Sequence, residues 1–252
     1  MAVRFSLTAA ILLLSLAVSR GEWSVSSSET EGGSVAGIEH RRIVLSESAS
    51  KDEATLEVAL FSMKNATLRV VDNPSGDNDL AEVLRRKRGI AGVNGGYFDP
   101  QNAPVGLLIS DGKLIAPFRK ARLLSGVLIV TKTRIELLRS GEYSSRKNLT
   151  AAVQSGPFLV EGGKAVAGLN DTRPARRTFV LTIGPERAAI GFCSTVTLAQ
   201  LGEILATPEL KTQRALNLDG GSSSAFWFAG ERGAFSIPEQ KTVRDFVIVT
   251  PK

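Results

Sequence analysis

Three short segments of the chain combine glycine turns with side chains that can bind or activate a ligand. The first comprises residues 94–99, NGGYFD, which follow a short apolar run directly. Paired glycines let a backbone turn sharply and present N–H groups without obstruction from a Cβ atom. The segment therefore suits an anion-binding loop, and a simple Gly-Gly hairpin turn is the structural alternative.

The second segment places a carboxylate at the end of an apolar strand. Residues 216–224, LNLDGGSSS, run from the strand through Asp219 to two glycines and three serines. Such a carboxylate beside a glycine turn could act as a base, a nucleophile or a metal ligand. Capping of the turn is the alternative role for Asp219. A turn does not require a serine cluster, so the pattern favours a functional site.

The third segment supplies arginines. Residues 154–157, QSGP, are followed by residues 173–178, RPARRT. Arginine binds phosphate or carboxylate through a two-pronged guanidinium fork. Arg177 leads into a β pattern over 178–183 and is expected to point inward. Arg173 and Arg176 are expected to lie in a solvated loop.

The chain has few residues for other kinds of catalysis. One cysteine cannot form an internal disulfide, and one cysteine with one histidine cannot build a Cys/His zinc site. The only histidine, His40, lies near the mature N-terminus, and no Gly-x-Ser-x-Gly elbow accompanies it. A Ser-His-Asp hydrolase is therefore not predicted, and His40 and Glu39 remain only outside candidates for a second proton transfer.

The elements that must position these segments are mostly short β patterns. A helix is predicted over 77–89 with Asp77 or Asn78 as its cap, and a second over 198–206 with a capping box of Thr197 and Gln200. An Asp-Gly pair at 111–112 predicts a tight hairpin. The predicted fold class is α+β, with a mostly antiparallel or mixed β-sheet core and a few flanking helices.

The N-terminus has the features of a secretory signal peptide. Arg4 precedes an apolar run over 5–18, and small residues at 17 and 19 suit cleavage after Ser19. At about 14 residues the run is shorter than the roughly 20 of a transmembrane helix, which is the alternative. The predicted organisation is a signal peptide at 1–19, a flexible leader at 20–36 and a single domain at 37–252. A secreted or periplasmic protein without stable membrane insertion follows.

The chain has 31 Lys and Arg residues against 25 Asp and Glu residues. The one dense basic run, 85–88, falls in the last turn of the first predicted helix, where cations complement the helix dipole. No aromatic residues are interleaved with it. Nucleic-acid binding is therefore not predicted.

Taken in order, the three segments resemble the phosphodiester glycosidase family. The matching motifs are NGGYF at 94–98, PVG at 104–106, QSGPFLV at 154–160, Arg177-Thr178, the helix start at Thr197-Leu198 and LNLDGGSS at 216–223. The resemblance covers roughly residues 55–250, and bacterial members are secreted or periplasmic. The chain departs from the family pattern at Phe179-Val180, where a small residue and a glycine are usual. It also has residues 191–194, GFCS, where relatives often carry an Asp-Gly turn.

The resemblance implies hydrolysis of a sugar-1-phosphate diester at the anomeric carbon, in glycan or envelope polysaccharide metabolism. Arg177 and the N–H groups of Gly95 and Gly96 would hold the phosphate, and Asp219 would activate water or stabilise the cationic sugar. Asn94 and Asn217 would bind sugar hydroxyls. The predicted catalytic residues are Asp219, Arg177 and Asn94, and the predicted substrate-binding residues are Gly95, Gly96, Tyr97, Gly156, Thr178, Asn217, Gly220, Gly221, Ser222 and Ser223.

Two other functions fit the same residues: a non-catalytic envelope protein that binds phosphorylated glycans, and a glycosidase acting on uncharged glycosides. The motifs require no cofactor. The oxygens of Asp219, Asn217 and Asp99 would suit calcium or magnesium, so a divalent cation is possible. Their spacing matches no known metal-binding loop, and no metal ligands are assigned.

Overall fold

The computed structural model describes residues 22–252; the predicted signal peptide lies outside the described residues. The strands of this part are β1 (Trp23–Gly32), β2 (Ile38–Glu47), β3 (Glu53–Ser62), β4 (Ala66–Asp72), β5 (Ala91–Asn94), β6 (Leu108–Ser110), β7 (Lys113–Ala116), β8 (Gly126–Val130), β9 (Ile135–Arg139), β10 (Ala151–Ser155), β11 (Phe158–Glu161), β12 (Lys164–Ala165), β13 (Ala175–Ile183), β14 (Arg187–Val196), β15 (Arg214–Asn217), β16 (Phe226–Gly230), β17 (Gly233–Ile237) and β18 (Asp245–Pro251). The helices are α1 (Leu80–Lys87) and α2 (Leu198–Leu205), with 3-10 turns at Pro208–Leu210 and Gly221–Ser223. No helix within residues 22–252 has both the length and the apolarity needed to cross a bilayer.

The strands form three antiparallel sheets. The largest has eight strands in the order β1-β2-β3-β14-β13-β15-β11-β12. The second has the order β7-β6-β10-β8-β9, and the third has the order β17-β16-β5-β18-β4. With two helices beside these sheets, the predicted α+β class with a mostly antiparallel core is confirmed.

The central core lies where the inner faces of all three sheets meet. Its largest fully buried side chains include Phe61 and Phe158 from the eight-stranded sheet and Phe226 and Phe228 from the third sheet. The outer face of the eight-stranded sheet packs a second core with α2, and α1 covers the outer face of the third sheet. The sheets therefore hold their strand ends in fixed relative positions.

The prediction of a flexible leader over 20–36 is wrong for most of that segment. Trp23–Gly32 forms strand β1, which pairs with β2 from Trp23 opposite Glu47 to Gly32 opposite Glu39. Its polar composition reflects an edge strand with mostly exposed side chains. The Trp23 ring is buried in the core beside α2 and anchors one end of the strand.

The two predicted helices form, but the first starts later than expected. Its N-cap is Asp79 instead of Asp77 or Asn78, because Asp79 and Glu82 form a reciprocal capping box. The Asn78 side chain instead donates to Asn73 Oδ1 (3.1 Å). In α2 the capping box of Thr197 and Gln200 is confirmed.

One departure from the family pattern has a packing explanation. Phe179 on β13 lies directly opposite Gly191 on β14. A Cβ at Gly191 would approach Phe179 Cζ to 2.5 Å and the Glu57 carbonyl oxygen to 2.8 Å. The phenyl ring at 179 therefore occupies space that only glycine at 191 leaves open.

We expect Trp23→Ala to lower the free energy of unfolding by about 3 kcal/mol, because it removes a buried indole and leaves a cavity. Urea denaturation measures this loss. The exposed Glu29→Ala in the same strand is the control and should change stability by less than about 0.5 kcal/mol. Equal stability of Trp23→Ala and wild type would show that β1 is not part of the cooperative fold.

Candidate functional site

The three motif segments converge at one end of the molecule. Strand β5 ends at Asn94, opposite Phe246 near the start of β18. Strand β15 ends at Asn217, opposite Phe179 on β13. The loops that follow β5 and β15 and the residues that begin β13 and β18 therefore share one edge of the structure.

The buried side chain of Asn94 connects these segments by hydrogen bonds. Its Nδ2 donates to the Asp219 carbonyl oxygen (2.8 Å). Its Oδ1 accepts from Thr178 Oγ1 (2.8 Å) and from the Ala225 N–H (3.1 Å). Asn94 and Thr178 are both fully buried. The structure thus places two predicted ligand-binding residues beneath the site, where they hold three chain segments together.

The N–H groups of Gly95 and Gly96, which the sequence predicts to bind phosphate, donate instead to Asp245. The Gly95 N–H donates to the Asp245 carbonyl oxygen (2.8 Å), and the Gly95 carbonyl accepts from the Asp219 N–H (3.0 Å). The Gly96 N–H donates to Asp245 Oδ1 (3.1 Å). Both amides therefore donate to Asp245 within the protein, and neither N–H is free for the predicted phosphate contact.

Close approach of Asp245 explains the need for glycine here. A Cβ at Gly95 would lie 1.8 Å from Asp245 Oδ1, which no side chain could tolerate. Asp245 is 2 % exposed. Burial raises the pKa of Asp245 to about 7; the charges of Asp72 and Asp219 act in the same direction, and the Gly96 N–H and Arg244 act against it.

Asp245 was missed by the sequence reasoning. The only signal was an acidic residue at the start of the last apolar strand, directly after Arg244. A carboxylate at such a position is ordinarily a solvated strand end. Only the pairing of β18 with β5 places it under the glycine pair.

Asp219 lies half-buried above this layer. Its Oδ1 accepts the Gly220 N–H (2.9 Å). Burial raises the pKa of Asp219, while the nearby Ser223 hydroxyl, the positive charge of Lys241 and the Gly220 N–H lower it. The Ser223 hydroxyl is buried and close to this carboxylate but does not reach hydrogen-bonding geometry. A carboxylate with a raised pKa is better suited to accept a proton.

Tyr97, Asn217 and Gly156 form one polar group beside Asp219. The Tyr97 hydroxyl donates to the Gly156 carbonyl oxygen. Asn217 Nδ2 donates to the same oxygen (2.8 Å) and to Tyr97 Oη (3.1 Å). Burial raises the pKa of Tyr97 to about 12, and the charge of Asp219 adds to this effect. Tyr97 therefore stays neutral at physiological pH.

Arg177 is buried, as its sequence pattern predicts. Its Nε donates to the Val196 carbonyl oxygen (3.0 Å) and its Nη2 to that of Arg173 (2.5 Å). A Cβ at Gly220 would lie 3.6 Å from Nη1, so the third nitrogen reaches the Asp219 turn. Its charge also acts on the Tyr97 hydroxyl by lowering the pKa of that group.

Arg176 does not lie in a solvated loop. Its Nη2 donates to the carbonyl oxygens of Ser224 (2.5 Å) and Pro238 (3.0 Å). Its guanidinium lies 5.2 Å from the centre of the Phe192 ring. These contacts lock the serine turn to the loop before β18. Arg173 is exposed, as expected.

The loop before β18 adds a cation that the sequence reasoning also missed. Lys241 is exposed, its Nζ lies 4.9 Å above the Phe98 ring, and its charge lowers the pKa of Asp219. The neighbouring Gln240 N–H donates to the Ser222 carbonyl oxygen (2.8 Å). Ser222 is exposed at this turn, and Gly221 adopts a φ of +65°. Lys241 and Ser222 are therefore the accessible polar groups at the rim.

Two other candidates from the sequence, the possible metal ligand Asp99 and the possible proton-transfer residue His40, have other partners. Asp99 Oδ1 accepts the N–H groups of Gln101 (2.9 Å) and Ala103 (2.8 Å), so it stabilises its own loop. Within residues 22–252 no three His, Cys, Asp or Glu side chains are grouped to hold a metal ion. His40 bonds to Glu57 (2.7 Å) and packs among phenylalanine rings instead of reaching Asp219.

A family model described as phosphodiester glycosidase matches residues 87–250, a span that includes every residue of this site. The chain belongs to the phosphodiester glycosidase family. An uncharacterized Escherichia coli K12 protein, YigE, is 30% identical in an alignment of 91 residues that covers 33% of this chain and 36% of that protein. The chain thus spans about a third of the curated relative in this match.

Solved structures share the fold of this chain. The catalytic domain of zebrafish N-acetylglucosamine-1-phosphodiester α-N-acetylglucosaminidase, auto-inhibited by its pro-peptide, is similar with a TM-score of 0.67 at 15% identity, covering 90% of this chain and 89% of that one. A Synechocystis protein has a TM-score of 0.59 at 13% identity, covering 86% and 62%. A Burkholderia pseudomallei protein described as exported has a TM-score of 0.57 at 13% identity, covering 80% and 75%.

The buried Asp245 predicts a pH-dependent stability of this protein. Its pKa is about 7 in the folded protein and roughly 4 when unfolded. As pH rises between these values, the unfolded chain has released the proton and the folded protein still holds it, so stability falls. Asp245→Asn stays neutral at any pH. From about pH 4 to about pH 8 the wild type should lose more unfolding free energy than the variant, by up to about 4 kcal/mol.

Urea denaturation at several pH values measures this difference, with the exposed Asp77→Asn as control. The control should follow the wild-type curve. Parallel curves for wild type and Asp245→Asn would contradict a buried, protonated Asp245.

Proposed function

We propose that this protein hydrolyses a sugar-1-phosphate diester at the anomeric carbon. The observation that carries the proposal is the convergence of Asp219 from the β15–β16 loop, Arg177 from strand β13 and Tyr97 from the loop after β5, where the charges of Asp219 and Arg177 both act on the Tyr97 hydroxyl. Family membership supports the reaction class. Export to a secreted or periplasmic location, through the N-terminal segment, is part of the same proposal, and the exported relative agrees with it.

Asp219 is the proposed base. Water would lose a proton to its carboxylate as the oxygen bonds to the anomeric carbon and the bond from that carbon to the phosphate oxygen breaks. The transition state carries positive charge on the sugar, which the same carboxylate stabilises. The products are the free sugar and a phosphate monoester. That leaving group is already stable as an anion, so a strong general acid is less necessary than in other glycosidases.

The phosphate would be held by cations at the rim instead of by the glycine amides. Lys241 is exposed and its charge lowers the pKa of Asp219, while Arg177 contributes a buried positive charge from strand β13. Two of the three guanidinium nitrogens of Arg177 already donate to backbone carbonyls. We therefore assign Lys241 the direct contact with phosphate and Arg177 mainly a positioning and electrostatic role.

The residues below the cleft have positioning roles in this proposal. Asn94 and Thr178 hold the Asp219 backbone, and Asn217 orients Tyr97 through the Gly156 carbonyl. Tyr97 would offer a neutral hydroxyl beside Asp219. Ser222 at the exposed turn would bond to the sugar or phosphate.

Asp219→Asn should reduce kcat for a 4-nitrophenyl sugar phosphodiester or UDP-N-acetylglucosamine by about 10²- to 10⁴-fold, because the amide cannot accept the proton. Release of nitrophenol phosphate, followed after phosphatase treatment, measures the reaction. Asp77→Asn is the matched control and should retain wild-type activity. Undiminished cleavage by Asp219→Asn would remove Asp219 from the mechanism. Saturable heat protection by glycan phosphates without any cleavage by wild type would favour the alternative of a non-catalytic binding protein.

Lys241→Gln should raise KM for the phosphodiester about tenfold, since one charge-assisted contact to phosphate is lost. It should leave KM unchanged for a neutral 4-nitrophenyl glycoside, if any such cleavage is detected. Lys164→Gln, at an exposed lysine on β12, is the control. Cleavage of the neutral glycoside as fast as the phosphodiester, with equal KM in both variants, would favour the uncharged-glycoside alternative.

A further inference from the structure

A large hollow lies at the end of the molecule away from Asp219. It has a volume of about 1120 Å³ and is lined by the start of β4, the β6–β7 and β8–β9 turns, the residues before β10 and Lys252. Strands β18 and β10 run between the two regions. Asp245 at one end of β18 lies under the candidate site, and Lys252 just beyond its other end lines the hollow. At about 3.3 Å per residue, this separates the two by roughly 20 Å.

The hollow carries a concentrated positive charge. The cations in its lining are Arg69, Lys132, Arg134, Lys147 and Lys252. The only acid in the lining is Asp111, and it is already bridged by Arg69 (2.7 Å) and by Lys87 (3.7 Å). In the whole chain cations exceed acids by only 31 to 25. The five-to-one ratio is therefore a local feature, and it leaves a net positive potential in a concave surface.

Three of these cations are available to a ligand. Lys132, Arg134 and Lys147 are exposed on the β8–β9 turn and the loop before β10, and none forms an ion pair in the described part of the chain. Their charges must be balanced by solvent ions or by a bound anion. The β8–β9 turn and the residues before β10 lie side by side, because Val130 and Ala151 are paired, so their cations can contact successive charges along one extended ligand.

The rest of the lining suits sugar hydroxyls. It includes the side chains of Thr67, Thr131, Thr133, Asn148 and Thr150, and among residues 22–252 no aromatic ring lines it. Hydroxyl and amide groups donate and accept hydrogen bonds as a sugar requires. Proteins that bind single-stranded nucleic acid stack bases on aromatic side chains, and this hollow cannot do so.

We propose that this hollow is a binding site for an anionic glycan chain, bearing carboxylate or phosphate groups, separate from the candidate cleavage site. Lysines and arginines contact the charged groups, and threonines and Asn148 contact the hydroxyls between them. Such a site retains the protein on a polymeric glycan while the other end of the molecule remains open.

Direct binding tests this inference without reference to hydrolysis. Fluorescence anisotropy would use labelled oligogalacturonate as the carboxylate probe, phosphorylated dextran as the phosphate probe, and neutral dextran and a single-stranded oligodeoxynucleotide for comparison. We expect one or both charged glycans to bind, and to bind at least tenfold more weakly when salt is raised from about 50 mM to about 200 mM. The preferred probe identifies the anionic group. Neutral dextran should not bind.

Two matched double variants locate the site. Lys132→Gln/Lys147→Gln should weaken binding of the charged glycan about tenfold, because two exposed cations leave the hollow. Lys51→Gln/Lys164→Gln removes the same charge at exposed positions away from it and should bind like wild type. Asp219→Asn should also bind like wild type, which separates this inference from the proposed activity.

Three results would overturn the inference. The first is that neither charged glycan binds at the lower salt concentration. The second is that both double variants weaken binding equally, which would mean that net charge alone is responsible. The third is that the oligodeoxynucleotide binds as tightly as the better glycan. Loss of hydrolysis with retained glycan binding would instead contradict only the proposed function.

Discussion

The candidate site depends on the hydrogen bonds of one buried amide, that of Asn94. This side chain bonds to the Asp219 carbonyl, the Thr178 hydroxyl and the Ala225 N–H. It thereby connects the third sheet to strand β13 of the eight-stranded sheet and to the loop between β15 and β16. A buried amide that lost these partners would be left unsatisfied, which is costly in a core that excludes water. The arrangement is therefore held in one geometry before any ligand binds.

Near that amide, the site contains two carboxyl groups, those of Asp245 and Asp219, which differ in burial and in pKa. Asp245 is enclosed and has a pKa raised to about 7 by burial, while Asp219 is half-buried and its pKa is raised by burial and lowered by the charge of Lys241. Gly95 lies between them, bonded to the backbone of each. The charge of Asp219 contributes to the raised pKa of Asp245, so the ionisation of Asp245 responds to the protonation state of the proposed base. The N–H groups of Gly95 and Gly96 thus bind Asp245 instead of a phosphate ligand.

Much of the fold followed from local patterns. The antiparallel sheets, the two helices and the capping box of Thr197 and Gln200 were predictable because periodicity and capping act over a few residues. The cap of α1 was placed too early, since Asn78 bonds to Asn73 in a contact that local sequence does not reveal. Strand β1 was missed for a similar reason: its polar residues are typical of a flexible segment, and only its partner β2 and the buried Trp23 make it a strand.

The sequence by itself determined the family, the motif residues and the types of chemical group near the site, because glycine turns, Asp219 and the arginines are recognisable from order and spacing. Only the tertiary structure decided which of them can meet a ligand. It turned Asn94, Thr178 and the glycine amides inward, brought Asp245 against Gly95 and brought the charge of Lys241 near enough to Asp219 to lower its pKa. The physical reason is that hydrogen-bond partners and burial depend on contacts between strands distant in the chain, and no local pattern encodes which partner a polar group will find.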